Sequence, residues 1–101
     1  MEKKKTFGEL IKGSKPVLVD FYAEWCGPCK AMSPIIQEIS KEVGEDAHII
    51  KVDIDKNPSA AQSFEIMGVS TFMIFKEGEI KWRHSGMMPK SKLQSVLESH
   101  R

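Results

Sequence analysis

The chain holds two cysteines, Cys26 and Cys29, with only Gly27 and Pro28 between them. Trp25 precedes the pair and Lys30 follows it. A Cys-x-x-Cys pair where a strand runs into a helix can cycle between dithiol and disulfide. A helix N-terminus carries partial positive charge and unpaired N–H groups, and both favour a thiolate over a thiol. Cys26 falls just ahead of such an end, and Cys29 falls within the first turn, close enough to close a ring with it. Gly27 eases the turn. Pro28 suits the first helical position, where an N–H would have no partner. A bare Cys-x-x-Cys is equally half of a zinc site or an inert buried pair, so the surrounding residues decide.

Those residues read as an alternation of strands and helices. Val17 to Tyr22 is apolar nearly throughout, as a central strand covered on both faces should be. From about Cys29 to Val43, Met32, Ile35, Ile36, Ile39 and Val43 recur at helical spacing; Gly44 ends the helix and Pro34 should kink it. Ahead of the first strand, Thr6 can cap a short helix through Lys12, with Phe7, Leu10 and Ile11 on one face and Gly13 closing it. His48 to Asp53 reads as a strand, and Asn57-Pro58 turns the chain into a short helix from Ser59 to Phe64. Thr71 to Lys76 and Glu79 to His84 are strands joined by a Glu77-Gly78 turn. Pro89 opens a last helix with Leu93, Val96 and Leu97 on its apolar face. The order αβαβαββα predicts an α/β fold, a central mixed β-sheet flanked by helices.

The run Trp25-Cys26-Gly27-Pro28-Cys29-Lys30 resembles the active-site signature of the thioredoxin family. The likeness extends upstream through Val19-Asp20-Phe21-Tyr22-Ala23-Glu24. Downstream it takes in Pro34, Val52-Asp53-Ile54-Asp55, Asn57-Pro58, Gly68-Val69, Phe75-Lys76-Glu77-Gly78 and Gly86. It covers nearly the whole chain from about Phe7 onward, and implies a single thioredoxin-like domain over residues 1–101. Thioredoxins place a further strand before the first helix. About half a dozen residues precede Phe7, so that strand is expected to be short or missing, leaving one sheet edge more exposed.

The resemblance also implies roles. Cys26 becomes the exposed nucleophile that attacks a substrate disulfide, and Cys29 resolves the mixed disulfide. Asp20, a carboxylate in an apolar strand, is expensive to bury without work or a partner. The likeness gives it the role of proton acceptor for Cys29, and burial should raise its pKa toward the range useful in general-base work. Lys51 matches the lysine whose ammonium approaches that aspartate; a solvated strand lysine is the plain alternative. Trp25 is expected at the surface, shielding the thiols and touching substrate. Tyr22 stands where the family often has tryptophan, and packing beneath the site is enough to explain it. Trp82 reads as structural. Met67, Gly68 and Val69 on one loop, and Gly86, Met87 and Met88 on another, form the expected substrate groove. Backbone pairing at Val69 would give affinity with little sequence preference, and methionines suit a promiscuous surface. Core filling is the alternative for one or two of the methionines.

Ser70 departs from the family, which has a cis-proline between Gly68-Val69 and Thr71. A cis bond before a non-proline residue costs about 2.5–4 kcal/mol, so the expectation is a moved or strained loop and an altered groove. Three readings stand: an engineered substitution, a specialised natural relative, or a face opened to a new ligand. In the last, two thiolates from each of two chains would supply the usual four ligands of a zinc or iron–sulfur centre. A tolerated serine in a slower oxidoreductase is the plain alternative.

Composition narrows the classes further. At 101 residues, with 41% hydrophobic and 29% charged residues, the chain suits one soluble domain. A net charge of +1 gives no reason to expect nucleic-acid or membrane binding. Met1-Glu2-Lys3-Lys4-Lys5 resembles the start of a signal peptide, but no apolar stretch follows it, so the expected compartment is the cytoplasm. A lone cysteine pair in a reducing compartment fits catalysis or metal better than a structural staple. His48, His84 and His100 have no spacing that makes a ligand set with the cysteines, and no metal is expected in a resident site. The reading is therefore a protein-disulfide reductase serving electron transport and cell redox homeostasis. It would work as a monomer with no bound cofactor, taking electrons from NADPH through a thioredoxin reductase and passing them to disulfide-containing client proteins. Gly-Pro between the cysteines favours the reducing type over oxidising or isomerising relatives, and the end Ser99-His100-Arg101 is not an ER retention signal. The rival reading is a binding module that holds clients, or a metal or iron–sulfur centre, through the same groove.

Overall fold

The computed structural model describes residues 7–66 and 70–101. In chain order the elements are α1 (Phe7–Ile11), β1 (Val17–Tyr22), α2 (Gly27–Val43), β2 (His48–Asp53), α3 (Pro58–Ser63), β3 (Thr71–Lys76), β4 (Glu79–Ser85) and α4 (Lys90–Ser99), with a 3-10 turn at Gly44–Asp46. The predicted order holds. The strand expected ahead of α1, the Thr6 cap and the Met67-Gly68-Val69 loop fall outside the described residues.

The sheet runs β2-β1-β3-β4. β1 and β2 are parallel, as an intervening helical crossover requires. β1–β3 and β3–β4 are antiparallel. The β3–β4 turn has Glu77 at φ 55° and Gly78 at φ 82°. Two successive left-handed residues make the turn whose twist matches a tight hairpin. The register slips between Ile74 and Phe75, which pair with Trp82 and Ile80 and leave Lys81 bulged between them.

Side-chain alternation along the strands divides the core. On one face Val17, Val19, Phe21, Val52, Met73 and Phe75 pack with Ile11 of α1 and Ala60 of α3. On the other, Leu18, Phe72 and Ile74 pack with Met32, Ile36, Ile39 and Val43 of α2 and Leu93 and Leu97 of α4. Pro34 lies inside α2 without ending it. Gly44 closes the helix at φ 55°, its N–H donating to the Ser40 carbonyl. Lys90 of α4 bridges to Glu38 and Glu42 of α2.

This topology gathers the functional candidates at one end of the sheet. β1 and β2 point their C-terminal ends the same way, and antiparallel β3 begins there, with Thr71 opposite Phe21. β4 finishes there too, with Ser85 opposite Thr71. The β1–α2 turn with the cysteines, the segment after Asp53, Ser70 and Gly86 therefore share that end.

Candidate active site

The helix starts two residues earlier than its periodicity suggests, because Cys26 itself is the N-cap. Its backbone is extended (φ −89°, ψ 112°), and its Sγ accepts a hydrogen bond from the Cys29 N–H at 3.1 Å. A sulfur thus occupies the place where a capping serine or aspartate oxygen normally satisfies an orphan donor. The Cys26 N–H donates to the Ala23 carbonyl at 3.1 Å, fixing the approach to the cap. The two sulfurs are joined in a disulfide, with Cα atoms 5.3 Å apart. Cys26 is only 3% exposed and Cys29 5%, so the expected exposure of the Cys26 residue is not observed in the oxidised state. The pair packs with Ala23, and Tyr22 and Ile54 lie against it.

Asp20 lies on the α2 face of β1, between Leu18 and Tyr22, and is 1% exposed. Its Oδ1 has no hydrogen-bond partner among the described residues. Burial raises its pKa from 3.8 to about 6, and the nearby Lys51 charge opposes that rise only in part. Lys51 stands opposite Asp20 in the parallel β1–β2 register, so both side chains leave the sheet on the same face. Its ammonium lies 4.8 Å from the centroid of the Tyr22 ring and 3.4 Å from the Ser33 hydroxyl of α2, to which it donates. A cleft of about 460 Å³ opens here, lined by Tyr22, Ala23, Glu24, Cys29, Lys30, Ser33 and Lys51.

Trp25 is 68% exposed and its indole N–H donates to the Asp55 carboxylate at 2.8 Å. Asp55 is itself set by Asp53, whose carboxylate accepts from the Asp55 and Lys56 N–H groups at 2.8 and 3.2 Å. The segment after β2 thus braces the tryptophan beside the cysteines. Sequence reasoning missed Asp55 and Ser33. Asp55 falls within the Val52-Asp53-Ile54-Asp55 stretch that resembles the family, and no local signal singles out Ser33.

Ser70 is fully buried and its hydroxyl has no partner among the described residues. Its carbonyl accepts from the Gly86 N–H at 2.7 Å, tying the start of β3 to the end of β4. Gly86 has φ 103°, which a side chain would strain. Beyond it Met87 is 54% exposed, whereas Met88 turns inward at 6% and joins the α2/α4 core. Met88 is therefore one of the methionines that fill the core. Trp82 packs against that core and stacks on His84. Among the described residues, no group of three His, Cys, Asp or Glu side chains is placed to hold a metal.

The thioredoxin family model matches residues 1–99. The chain belongs to the thioredoxin family. It is 42% identical over 91 residues to thioredoxin of Acidithiobacillus ferridurans, covering 90% of this chain and 84% of that protein. It is 45% identical over 101 residues to thioredoxin Y, chloroplastic, of rice, covering 96% of this chain but 60% of the relative's length. A mutant thioredoxin from Halobacterium salinarum superposes with a TM-score of 0.84 at 31% identity, covering 92% of this chain and 80% of that one. The fold is thioredoxin-like. Family and cysteine pair together make the chain a thiol–disulfide oxidoreductase, with a redox-active disulfide at Cys26–Cys29.

Proposed function

We propose that this single domain reduces protein disulfides, with Cys26 as nucleophile, Cys29 as resolving thiol and Asp20 as the proton acceptor. In the dithiol state the Cys26 thiolate attacks one sulfur of a client disulfide. A Cys26–client disulfide forms, the client S–S bond breaks, and the other client sulfur leaves as a thiolate and takes up a proton. Asp20 then removes the Cys29 proton, and the Cys29 thiolate attacks Cys26 Sγ. The Cys26–Cys29 bond forms and the second client thiolate departs, so two electrons have passed to the client. The observation that carries this reading is the Cys26 sulfur capping α2. The N–H that serves the disulfide sulfur here would serve a thiolate more strongly. A buried carboxyl with a pKa near 6, on the strand that leads into the cysteine turn, suits proton removal close to neutrality.

Lys51 supports Asp20, Trp25, Gly27 and Pro28 shape the rim, and Ser70 supports the site from its buried place ahead of β3. Met67, Gly68, Val69, Gly86 and Met87 form the client groove. The oxidised pair is returned to dithiol by NADPH through a thioredoxin reductase, with no further bound cofactor. The chain works as a monomer. No helix among the described residues is long and apolar enough to cross a membrane. A reducing compartment suits a working dithiol; we place it in the cytoplasm, though the chloroplast-named rice relative shows that the family is not confined there.

The test is NADPH-coupled reduction of insulin by the intact chain, its Ser70→Pro variant, and Cys26→Ser and Cys29→Ser. Turnover by the first two, none by Cys26→Ser, and a trapped insulin adduct on Cys29→Ser are expected. Turnover restored only by Ser70→Pro would leave the cysteine chemistry standing and make Ser70 a tuning position. No turnover by either would overturn the reductase reading. A coloured, chelator-sensitive dimer would then favour the metal or iron–sulfur module.

A further inference from the structure

Ser33 and Tyr22 have no part in the cycle above, yet both contact Lys51, the charge that acts on Asp20 among the described residues. Cys29 and Ser33 are four residues apart on α2, so they lie on one stripe of the helix. Ser33 lines the cleft together with Cys29, Tyr22 and Lys51. Lys51 reaches it from β2, and its ammonium donates to Ser33 Oγ at 3.4 Å while resting 4.8 Å from the Tyr22 ring centroid. Among the described residues Lys51 forms no direct ion pair with Asp20, although the two are register partners. A lysine side chain at the surface of a strand is otherwise free to swing into water, and holding it in one place is entropically unfavourable. The hydroxyl and the aromatic face offset that loss, one by a charge-assisted hydrogen bond and the other by attraction to the ring quadrupole.

We propose that the Ser33 hydroxyl and the Tyr22 ring cradle the Lys51 ammonium in the cleft that Cys29 lines, opposite Asp20 in the strand register, making Ser33 a positioning residue for the resolution step. The inference rests on the proton-acceptor reading of Asp20. Held in the cleft, the ammonium stabilises the Asp20 carboxylate through space without a direct ion pair to it. The carboxylate stays available to take a proton. A direct ion pair would hold it ionised too firmly, and a lysine lost to solvent would leave it protonated to higher pH.

From β2, Lys51 acts on Asp20, and the cleft that Lys51 lines also carries Cys29 and Lys30 of α2. The β1–α2 turn adds Glu24 at the rim, and Tyr22 lies two residues along β1. From β3 the register partner is Phe72, which does not titrate. Among the described residues, Lys51 is the charge that acts on Asp20.

The experiment is the pH profile of kcat for insulin reduction under saturating reductase, in the intact chain, Ser33→Ala, Ser33→Thr, Lys51→Met, Ser33→Ala/Lys51→Met and Asp20→Asn. Ser33→Ala should raise the acid-limb midpoint by about half a pH unit, roughly a threefold change in proton affinity. Ser33→Thr, which keeps the hydroxyl, should restore it. Lys51→Met should move the midpoint further in the same direction. Adding Ser33→Ala to Lys51→Met should change nothing more, because the hydroxyl acts only through the ammonium. If Asp20→Asn leaves the acid limb in place, the Asp20 reading itself fails. If Asp20→Asn abolishes the limb but Ser33→Ala leaves the midpoint unmoved, or shifts it equally without Lys51, the cradle is overturned and Asp20 stands.

Discussion

On the α1/α3 side of the sheet β1 presents Val17, Val19 and Phe21, all fully buried among other apolar side chains. On the α2/α4 side the same strand presents Leu18, Asp20 and Tyr22. Of these only Leu18 joins the apolar core, while Asp20 is buried with an oxygen that has no partner among the described residues and Tyr22 lies against the cysteines. Six consecutive residues thus serve two purposes, divided by the two-residue alternation of a strand. One face holds the fold together. The other is apolar at its far end and becomes polar under the N-terminus of α2. A one-residue slip of β1 would exchange the two sets, so the chemistry depends on a register that the apolar face enforces.

The largest effect should come from breaking the apolar face. Phe21→Ala removes a fully buried ring that packs on Phe64. It should destabilise the oxidised protein by about 3–5 kcal/mol in urea unfolding. Insulin reduction per folded molecule should change little, because Phe21 points away from the cleft. A loss of activity larger than the loss of folded protein would mean that the two faces are not separable.

The opposite change is next in size. Asp20 has its pKa raised in the folded state, from 3.8 to about 6. Its contribution to stability is therefore fully present below about pH 4 and is lost as pH rises through 6. Asp20→Asn should make the protein more stable near pH 8, by at most about 3 kcal/mol, and by little or nothing near pH 4. Turnover at neutral pH should fall at the same time. Urea unfolding of both proteins at the two pH values measures the difference. An equal or lower stability of the variant near pH 8 would show that the carboxylate is not held there against its folding preference.

The apolar face was legible in the sequence and the polar end only in part, for a physical reason. β2 and β3 begin and end where alternation and turn residues place them, because burial of many side chains fixes those limits together. α3 and β4 differ from expectation by a residue at their ends. α2 begins early because a cysteine acts as its cap, a role that helical periodicity does not record. Cys26 and Cys29 stand out because the motif is long, and Asp20 because a carboxylate in an apolar run is anomalous, whereas Lys51 is singled out by the resemblance alone. The Lys51–Ser33 contact joins residues 18 apart in the chain and the Trp25–Asp55 bond joins residues 30 apart. Neither contact is tied to a local pattern. Met88 and Met87 are adjacent and alike in type, and only packing tells the core methionine from the exposed one.

Ser70 sharpens the comparison at a smaller scale. Like Asp20 it is buried at the chemical end with an oxygen that has no partner among the described residues. Ser70→Ala removes that hydroxyl and should stabilise the oxidised protein by about 1 kcal/mol. Because a hydroxyl does not titrate in this range, the gain should be the same near pH 4 and pH 8, unlike that of Asp20→Asn. A destabilisation would show that the hydroxyl finds a partner in solution.

The smallest effect concerns how firmly the chemical end is held together. Trp25 contributes little buried area, since 68% of it is exposed, so its fixed position depends on the bond to Asp55. Trp25→Phe keeps an aromatic beside Cys26 but loses the N–H, and should cost only about 0.5 kcal/mol of stability. If the indole serves as a positioned client contact, KM for insulin should rise while kcat holds. Asp55→Asn retains an acceptor and should behave almost as the intact chain, whereas Asp55→Ala should reproduce the rise in KM. If Asp55→Ala leaves KM alone while Trp25→Phe raises it, the ring matters and its tether does not. The chemical end would then owe its order to the helix cap and the disulfide rather than to the segment after β2.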